Sequence, residues 1–232
     1  MHRTCLLCLL LLLAAGFVKA QYYPGPTYYV LPKPIDTGKI YLRFNWMGLI
    51  DMMDGNVSVG GETRLNKRLS VTMDAGYIFY SVYFGKTSSA TGVVLRPGVR
   101  LYVGEHKTVF FDLQFHYKGV KYNVKDWLEK DLVNNVATYE EHKTFQVRRR
   151  VYGGQVLMGG RLFPSGNTRL FMEIYWGLGV RYKEEWLYHE EPNSGYQGGG
   201  TRFSPRSILT TRKSTKVLPA MPFGIRLVYR IW

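Results

Sequence analysis

The sequence predicts an all-β fold, an eight-stranded antiparallel up-and-down transmembrane β-barrel with short periplasmic turns and long extracellular loops. Three observations carry this expectation. Apolar and polar residues alternate with period two through successive segments from Lys39 onward. The connections between those segments alternate between brief and long. The chain closes on GIRLVYRIW (224–232), half apolar and half cationic, with an indole last, where most soluble domains end in loose polar residues.

The elements follow in order. In the first, Ile40, Leu42, Phe44 and Trp46 alternate with Tyr41, Arg43, Asn45 and Met47. The second sets Val57, Val59, Gly61 and Thr63 against Ser58, Gly60, Glu62 and Arg64, and the polar turn Asn66-Lys67-Arg68 follows it. In the third, Leu69, Val71, Met73, Ala75 and Tyr77 oppose Ser70, Thr72, Asp74 and Gly76. The fourth places Val93, Leu95, Val99 and Leu101 against Arg96, Gly98, Arg100 and Tyr102. Pro97 falls inside it and removes a ladder donor, so either a bulge or a different register is expected there. In the fifth, Val109, Phe111, Leu113, Phe115 and Tyr117 oppose Asp112, Gln114, His116 and Lys118. The sixth, about 145–162, is the least regular, with Tyr152, Val156, Met158 and Leu162 on one face and Gln155 and Arg161 on the other. The run Arg148-Arg149-Arg150 then belongs to a rim beyond the apolar band. The seventh alternates Leu170, Met172, Ile174, Trp176, Leu178 and Val180 with Arg169, Glu173, Tyr175, Gly177, Gly179 and Arg181. GIRLVYRIW is the eighth.

Brief connections follow strands two, four and six: 66–68, 104–107 and 164–168. Longer ones follow strands one, three, five and seven, and the last two, roughly 119–144 and 184–217, far exceed ordinary hairpin loops of about 2–5 residues. All the short turns then share one end, and with eight strands both termini do too, the pattern of an outer-membrane barrel.

Alternation alone fits a soluble barrel as well as a membrane one. Three features favour the inverted, membrane version. The polar face is heavily ionic (Arg43, Glu62, Arg64, Asp74, Arg96, Arg100, Asp112, Glu173, Arg181, Arg226, Arg230) and is interleaved with small glycines that make room for arginines. Eight strands enclose a lumen only just wide enough for side chains. The apolar face carries almost no charge and places Trp46, Tyr77, Tyr117, Trp176 and Tyr229 where interfacial girdles lie. The closing strand, with Gly224, Leu227, Tyr229 and Trp232, is similar to the C-terminal signal that barrel-assembly machinery reads. It also leaves no hydrogen-bonding edge.

Residues 1–20, MHRTCLLCLLLLLAAGFVKA, have a basic start, an apolar run too short for a spanning helix and small residues at the end. They predict a signal peptide cleaved after Ala20, and hence export to the cell outer membrane. Both cysteines, Cys5 and Cys8, fall within it, so the mature chain would need no disulfide and no cysteine-bound metal. Residues 21–38, rich in Pro and Tyr, read as an extended periplasmic lead-in, and 39–232 as the barrel. The formal charge of +14 suggests nucleic acid or an anionic surface, and export argues against nucleic acid. Without Arg3 and Lys19 the charge falls from +14 to +12. Part of it pairs with carboxylates in the lumen. The excess near the rims and at Arg202, Arg206, Arg212, Lys213 and Lys216 would be solvated or meet lipopolysaccharide phosphates.

KIYLRFNWMGLIDMMDGNVSVGGETRLNKRLSVTMDAGY (39–77) and LPAMPFGIRLVYRIW (218–232) resemble the domain of unknown function 3575 (DUF3575) family, small exported proteins of Gram-negative bacteria. Asn56, Glu62 and the strand start Arg68-Leu69-Ser70 match that pattern. The resemblance implies a single outer-membrane barrel and its location, with no activity to carry over.

Candidate sites are few. His116 and Asp112 share the lumenal face of strand five, as a packed pair or as a pH-sensitive one. No Ser/His constellation sits on one strand face, and His106, His142 and His189 lack metal-ligand spacing. No enzyme, cofactor or metal is therefore expected. Within 123–133, Val124, Trp127, Leu128 and Leu132 recur at helical spacing. A surface helix there would offer Trp127, Leu128 and Leu132 to a partner or lie on the rim. The glycine run 198–200 lacks the context of a phosphate loop. The expected function is a structural or surface-interaction role through the long loops. A narrow, weakly anion-preferring pore and a secreted soluble ligand-binding barrel are the alternatives. Expected partners are outer-membrane lipid, lipopolysaccharide, the assembly machinery and a protein at the surface loops.

Overall fold

The computed structural model describes residues 39–50, 54–84, 86–104, 107–133, 136–162, 169–198 and 207–231. The expected signal peptide (1–20), the lead-in (21–38), the turn at 164–168, His106, Arg202, Arg206 and Trp232 lie outside the described residues. Among the described residues no helix is long and apolar enough to cross a membrane.

The strands are β1 (Ile40–Asn45), β2 (Asp54–Arg64), β3 (Leu69–Ser81), β4 (Thr87–Val103), β5 (Val109–Lys130), β6 (Tyr139–Leu162), β7 (Leu170–Tyr188), β8 (Gly195–Gly198), β9 (Ser207–Thr210), β10 (Ser214–Ala220) and β11 (Phe223–Arg230). A 3₁₀ turn, Met47–Ile50, follows β1. Antiparallel pairing runs β1-β2-β3-β4-β5-β6-β7-β11 and returns to β1, a closed barrel-like ring of eight strands. β10 and β11 run along β7 in one register: Ala220 faces Gly179, Phe223 faces Trp176, and between them Gly177 N–H donates to Pro222 O at 2.8 Å. The eighth wall strand therefore begins at Ser214, ten residues before the closing GIRLVYRIW.

Most of the expected long loops are wall. All 22 residues of β5 pair with β6, up to Lys130↔Tyr139. The connection from β3 to β4 is only residues 82–86. The stretch 184–217 is shared among the end of β7, the β8–β9 hairpin and the start of β10. The expected helix over 123–133 is likewise strand through Lys130, because the 3.6-residue spacing of its apolar residues yields to a ladder continuous with the rest of β5. Pro97 produces neither bulge nor shift. It pairs with Met73 on β3, and the β4–β5 ladder skips 96–97 and resumes in the same register, Leu95↔Tyr117 then Gly98↔Gln114.

The side chains divide the ring into two halves of opposite polarity. In the lower half, toward the short turns, the outward rows are apolar and exposed: Val93, Val99, Leu101 and Val103 on β4, Val109, Phe111, Leu113 and Phe115 on β5, Leu170, Ile174, Trp176, Leu178 and Val180 on β7. The inward rows hold buried Arg43, Glu62, Asp74, Arg100, Asp112, Arg161, Glu173 and Arg226. Small aromatic clusters (Tyr102, Phe110, Leu157, Tyr175; Tyr41, Phe171, Val228) pack between them. In the upper half the same strands reverse their polarity. Past Gly119, β5 turns Val120, Tyr122, Val124 and Leu128 inward and Lys121, Asn123 and Lys125 outward. With Ile78, Phe84, Phe145, Val147 and Leu187 they form the largest apolar core, into which the β8–β9 hairpin inserts Tyr196 and Leu209. No register shift marks the change along β5–β6. Only the side-chain pattern changes, and its period of two is kept.

The upper core is thus a separate packing unit stacked on the ionic half. Phe145→Ala, at a 2% exposed position facing Tyr196 at 4.7 Å between ring centroids, is expected to cost about 3–5 kcal/mol. Limited proteolysis should then open the β5–β6 and β8–β9 hairpins while the lower strands stay protected.

Candidate functional site: an ionic lumen and two hollows

Inward-facing charges in the lower half converge because alternate residues of all eight strands of the ring point into a space too narrow for water to solvate them. Arg100, fully buried, is the hub. Its Nη1 donates to Glu62 Oε2 (3.0 Å) and Glu173 Oε1 (2.7 Å), its Nη2 donates to Asp112 Oδ2 (3.0 Å), and its guanidinium lies over the Phe110 ring at 3.8 Å. Arg161 donates from Nε to Glu173 (3.0 Å) and from Nη2 to Glu62 (3.3 Å), and Tyr102 donates its hydroxyl hydrogen to Glu62. Arg43 donates to Asp74 at 3.0 Å, and Arg226 lies 3.7 Å from both Asp74 and Glu173. The arginines 43, 100, 161 and 226 thus face the carboxylates 62, 74, 112 and 173, four against four. Neutrality and multiple hydrogen bonds are what make such burial tolerable.

Most expected lumenal residues are brought together here, and several take other roles. Arg64 lies over the Tyr41 and Tyr102 rings at 5.2 and 4.8 Å. Arg230 is half-buried at the lower end of β11. The His116–Asp112 pairing is not formed: Arg96 Nε donates to His116 Nδ1 at 3.4 Å, and Asp112 belongs to Arg100. Gly60, Gly76, Gly98, Gly177 and Gly179 make room for neighbours other than arginine, and Gly153 is the one beside an arginine, Arg181, among the described lumenal glycines. A Cβ on Gly60 would collide with the Asp74 carboxylate and, at 2.6 Å, with Met73 O. Gly224 is buried, with the Tyr175 hydroxyl 2.5 Å from where its Cβ would stand, and Leu227 and Tyr229 point outward.

A second ionic cluster had no signal in the short-strand reading. Asp54 starts β2 above the residues whose alternation marks the strand. It is fully buried and takes Lys118, Arg149 (3.3 Å) and the Tyr122 hydroxyl hydrogen (3.1 Å). Glu185 lies 3.3 Å from Arg149 and 3.0 Å from Lys183. The expectation that Arg148–Arg150 form a rim is corrected: they lie mid-strand in β6, and the middle one points inward. Burial alone would raise the Asp54 pKa, but Arg149 and Lys118 more than offset it and hold the group at about 2.

Of the expected partner surface, Leu128 is buried in the upper core, Trp127 is 53% exposed over His142, and Leu132 is half-buried, its N–H donating to Asn193 O. Trp127 and Leu128 point to opposite sides, as adjacent residues of a strand do, and Leu132 lies beyond the end of β5.

Two hollows accompany these clusters. A cavity of about 590 Å³ lies above the ionic hub, lined by Asn45, Met47, Asp74, Arg96, Arg181, Met221, Phe223 and Arg226 among others. On the outer face, a groove of about 540 Å³ crosses β3 to β7 where the apolar band ends. The cross-strand row Tyr117–Tyr152–Tyr182 marks that end. Above it come Gly119–Arg150–Glu184 and then Lys121–Arg148–Trp186. Lys121 and Arg148 stand directly opposite each other, a like-charge pair that destabilises a sheet. Arg150 lies over the Trp186 ring at 5.3 Å.

No protein-family model matches the chain, and no characterised protein and no solved structure is similar to it.

Two outcomes follow from the ion clusters. Arg100→Met strands Glu62, Asp112 and Glu173 without their shared cation and should cost about 3–5 kcal/mol in denaturant unfolding, well beyond Arg64→Met. Asp54 has a folded pKa below its ordinary 3.8. Its contribution is therefore complete above that value and is lost as pH falls toward 2. Hydrogen exchange of the upper core should loosen over that window in the natural protein, and Asp54→Asn should abolish the dependence.

Proposed function

We propose that the protein is an outer-membrane β-barrel of the DUF3575 kind, held in the bilayer by its outward apolar band, with a filled lumen and a water-exposed upper half that is its working surface. One observation carries this reading: through the lower half, apolar rows face outward while a neutral ion network is buried inside. The band fits a bilayer in height, since Val93 to Val103 on β4 spans 11 residues and a tilted strand needs about 9–11 to cross hydrocarbon. The Tyr117–Tyr152–Tyr182 row sits where an interfacial girdle belongs. The basic groove above it, with Lys121, Arg148 and Arg150, is placed to meet lipopolysaccharide phosphates. Gly224, Leu227 and Tyr229 serve assembly into the membrane, and exposed Trp127 on the upper β5–β6 hairpin is the contact offered to a protein partner.

The filled-lumen reading is preferred to the anion pore because packed side chains lie both below and above the cavity: the Arg100 hub with its aromatic clusters, and the Phe84–Tyr122–Phe145 core. The preference for a bilayer over a soluble ligand-holding barrel rests on the outward direction of the apolar rows. Membrane fractionation tests the bilayer reading. The protein should extract from outer membranes only with detergent and migrate faster unboiled than boiled, and full solubility without detergent would overturn the reading. Planar-bilayer recording tests the filled lumen, with no steady conductance expected.

A further inference from the structure

On the outer wall, the groove of about 540 Å³ begins where the apolar band stops. Along it runs the row Thr91–Lys121–Arg148–Trp186, one residue from each of β4, β5, β6 and β7. Lys121 and Arg148 are direct cross-strand partners, and Arg150 stands two residues nearer the band on the same face of β6. All three cations are half-buried. No carboxylate lines the groove among the described residues. Glu184 on β7 stands opposite Arg150 and also faces Lys213 at 3.7 Å. Arg149, between the two arginines, turns inward to Asp54 and Glu185.

Like charges directly opposite each other destabilise a sheet, and the two arginines are held by rings. The Arg148 guanidinium lies 3.2 Å over the Tyr188 ring and that of Arg150 lies 5.3 Å over Trp186, a ring that also carries Lys213 at 5.3 Å. Stacking occupies the face of a guanidinium and leaves its N–H edge open to an acceptor. Three cations beside one shared carboxylate match a doubly charged anion more closely than a singly charged one. A phosphate monoester carries about −1.5 to −2 at neutral pH. Just below, the surface turns to hydrocarbon, with Tyr77 and Val93 exposed at the lower edge of the groove. Two residues below Tyr152, Gly154 stands between Phe115 and Val180, with nothing within 4 Å of where its Cβ would be. That gap among the apolar side chains has room for an acyl chain.

We propose that the groove is a fixed site for one lipid whose head carries a phosphate monoester. The phosphate bridges Lys121 and Arg148 with Arg150 beside it, and the chains descend over Val93 and Gly154. This rests on the bilayer reading above, which brings lipopolysaccharide phosphates to this level of the wall. It differs from diffuse attraction in three respects: a set position, a set stoichiometry and a preference for the monoester over a phosphodiester headgroup. Charge-assisted hydrogen bonds from two facing cations to one phosphate turn the repulsion between them into binding.

The test uses the full chain in phosphatidylcholine nanodiscs doped with bisphosphoryl lipid A, with retained lipid counted by native mass spectrometry. One lipid A per chain is expected. Dephosphorylated lipid A and phosphatidylglycerol, a diester, should be retained about tenfold less or lower. The double variant Lys121→Gln, Arg148→Gln should lower retention of lipid A about tenfold or more. In nanodiscs without lipid A it should be no less stable to denaturant than the natural chain, because the pair it removes is repulsive. Destabilisation there would mark the pair as structural and overturn the proposal. Lys67→Gln with Arg68→Gln removes the same charge from the exposed turn between β2 and β3 and should leave retention unchanged. Glucosamine 1-phosphate, a monoester without acyl chains, should not displace the lipid, and displacement would assign the groove to phosphate alone. Equal retention of phosphatidylglycerol, or equal loss in the two double variants, overturns the proposal alone. Failure of the chain to enter nanodiscs overturns the bilayer reading and this proposal with it.

Discussion

A guanidinium with no water beside it must be met by carboxylates, and Arg100 at the centre of the ring imposes that condition on its neighbours. Its contacts to Glu62, Asp112 and Glu173 tie together β2, β4, β5 and β7. Arg161 adds β6 through the same Glu62 and Glu173, and Arg43 and Arg226 bring β1 and β11 through Asp74. The network is one connected object, so displacing a single strand by one residue would turn its charges into the outward face and strand their partners. Register is thereby specified from within, where most sheets take it from an apolar core.

That condition explains the reversal of polarity along continuous strands. In the ionic half the inward rows are taken by charges, so the apolar residues stand outside. Above Gly119 the inward rows change to Val120, Tyr122, Val124 and Leu128, and the outward rows become polar. Each half is internally consistent, with charges inside the lower one and apolar side chains inside the upper one. The sheet passes from one to the other without a bulge in β5 or β6, because the alternation changes its chemistry and keeps its period.

The seam between β1 and β11 is the cost of that arrangement at one place. β1 contributes six residues to the wall, fewer than any other strand of the ring, and β10 extends beyond it. The wall therefore has its fewest strand pairs next to the ionic hub, where the cavity of about 590 Å³ lies. In the same way, the cross-strand pair Lys121 and Arg148 spends sheet stability at the edge of the apolar band.

The period-two alternation by itself determined most of the strands and which residues share a face, and the connection lengths their antiparallel order; the ionic, glycine-interleaved character of the polar face then turned Arg43, Glu62, Asp74, Arg100, Asp112, Glu173 and Arg226 inward and the apolar rows outward. Alternation reports on a strand's two faces one residue at a time, so it needs no knowledge of partners. It failed where a face mixes chemistries. Residues 119–144 read as loop and helix because the apolar residues there follow the inward row of a second core that no local pattern announces. Arg161 read as polar but carried no mark of joining the hub, and Asp54 preceded the recognisable strand. Only the tertiary structure decided which arginine meets which carboxylate, that His116 takes Arg96 while Asp112 takes Arg100, and that β1 ends at Asn45 while the strand beside it runs on to Ser214. Those outcomes depend on register and shear across strands distant in the chain, which fix distances that sequence spacing does not contain.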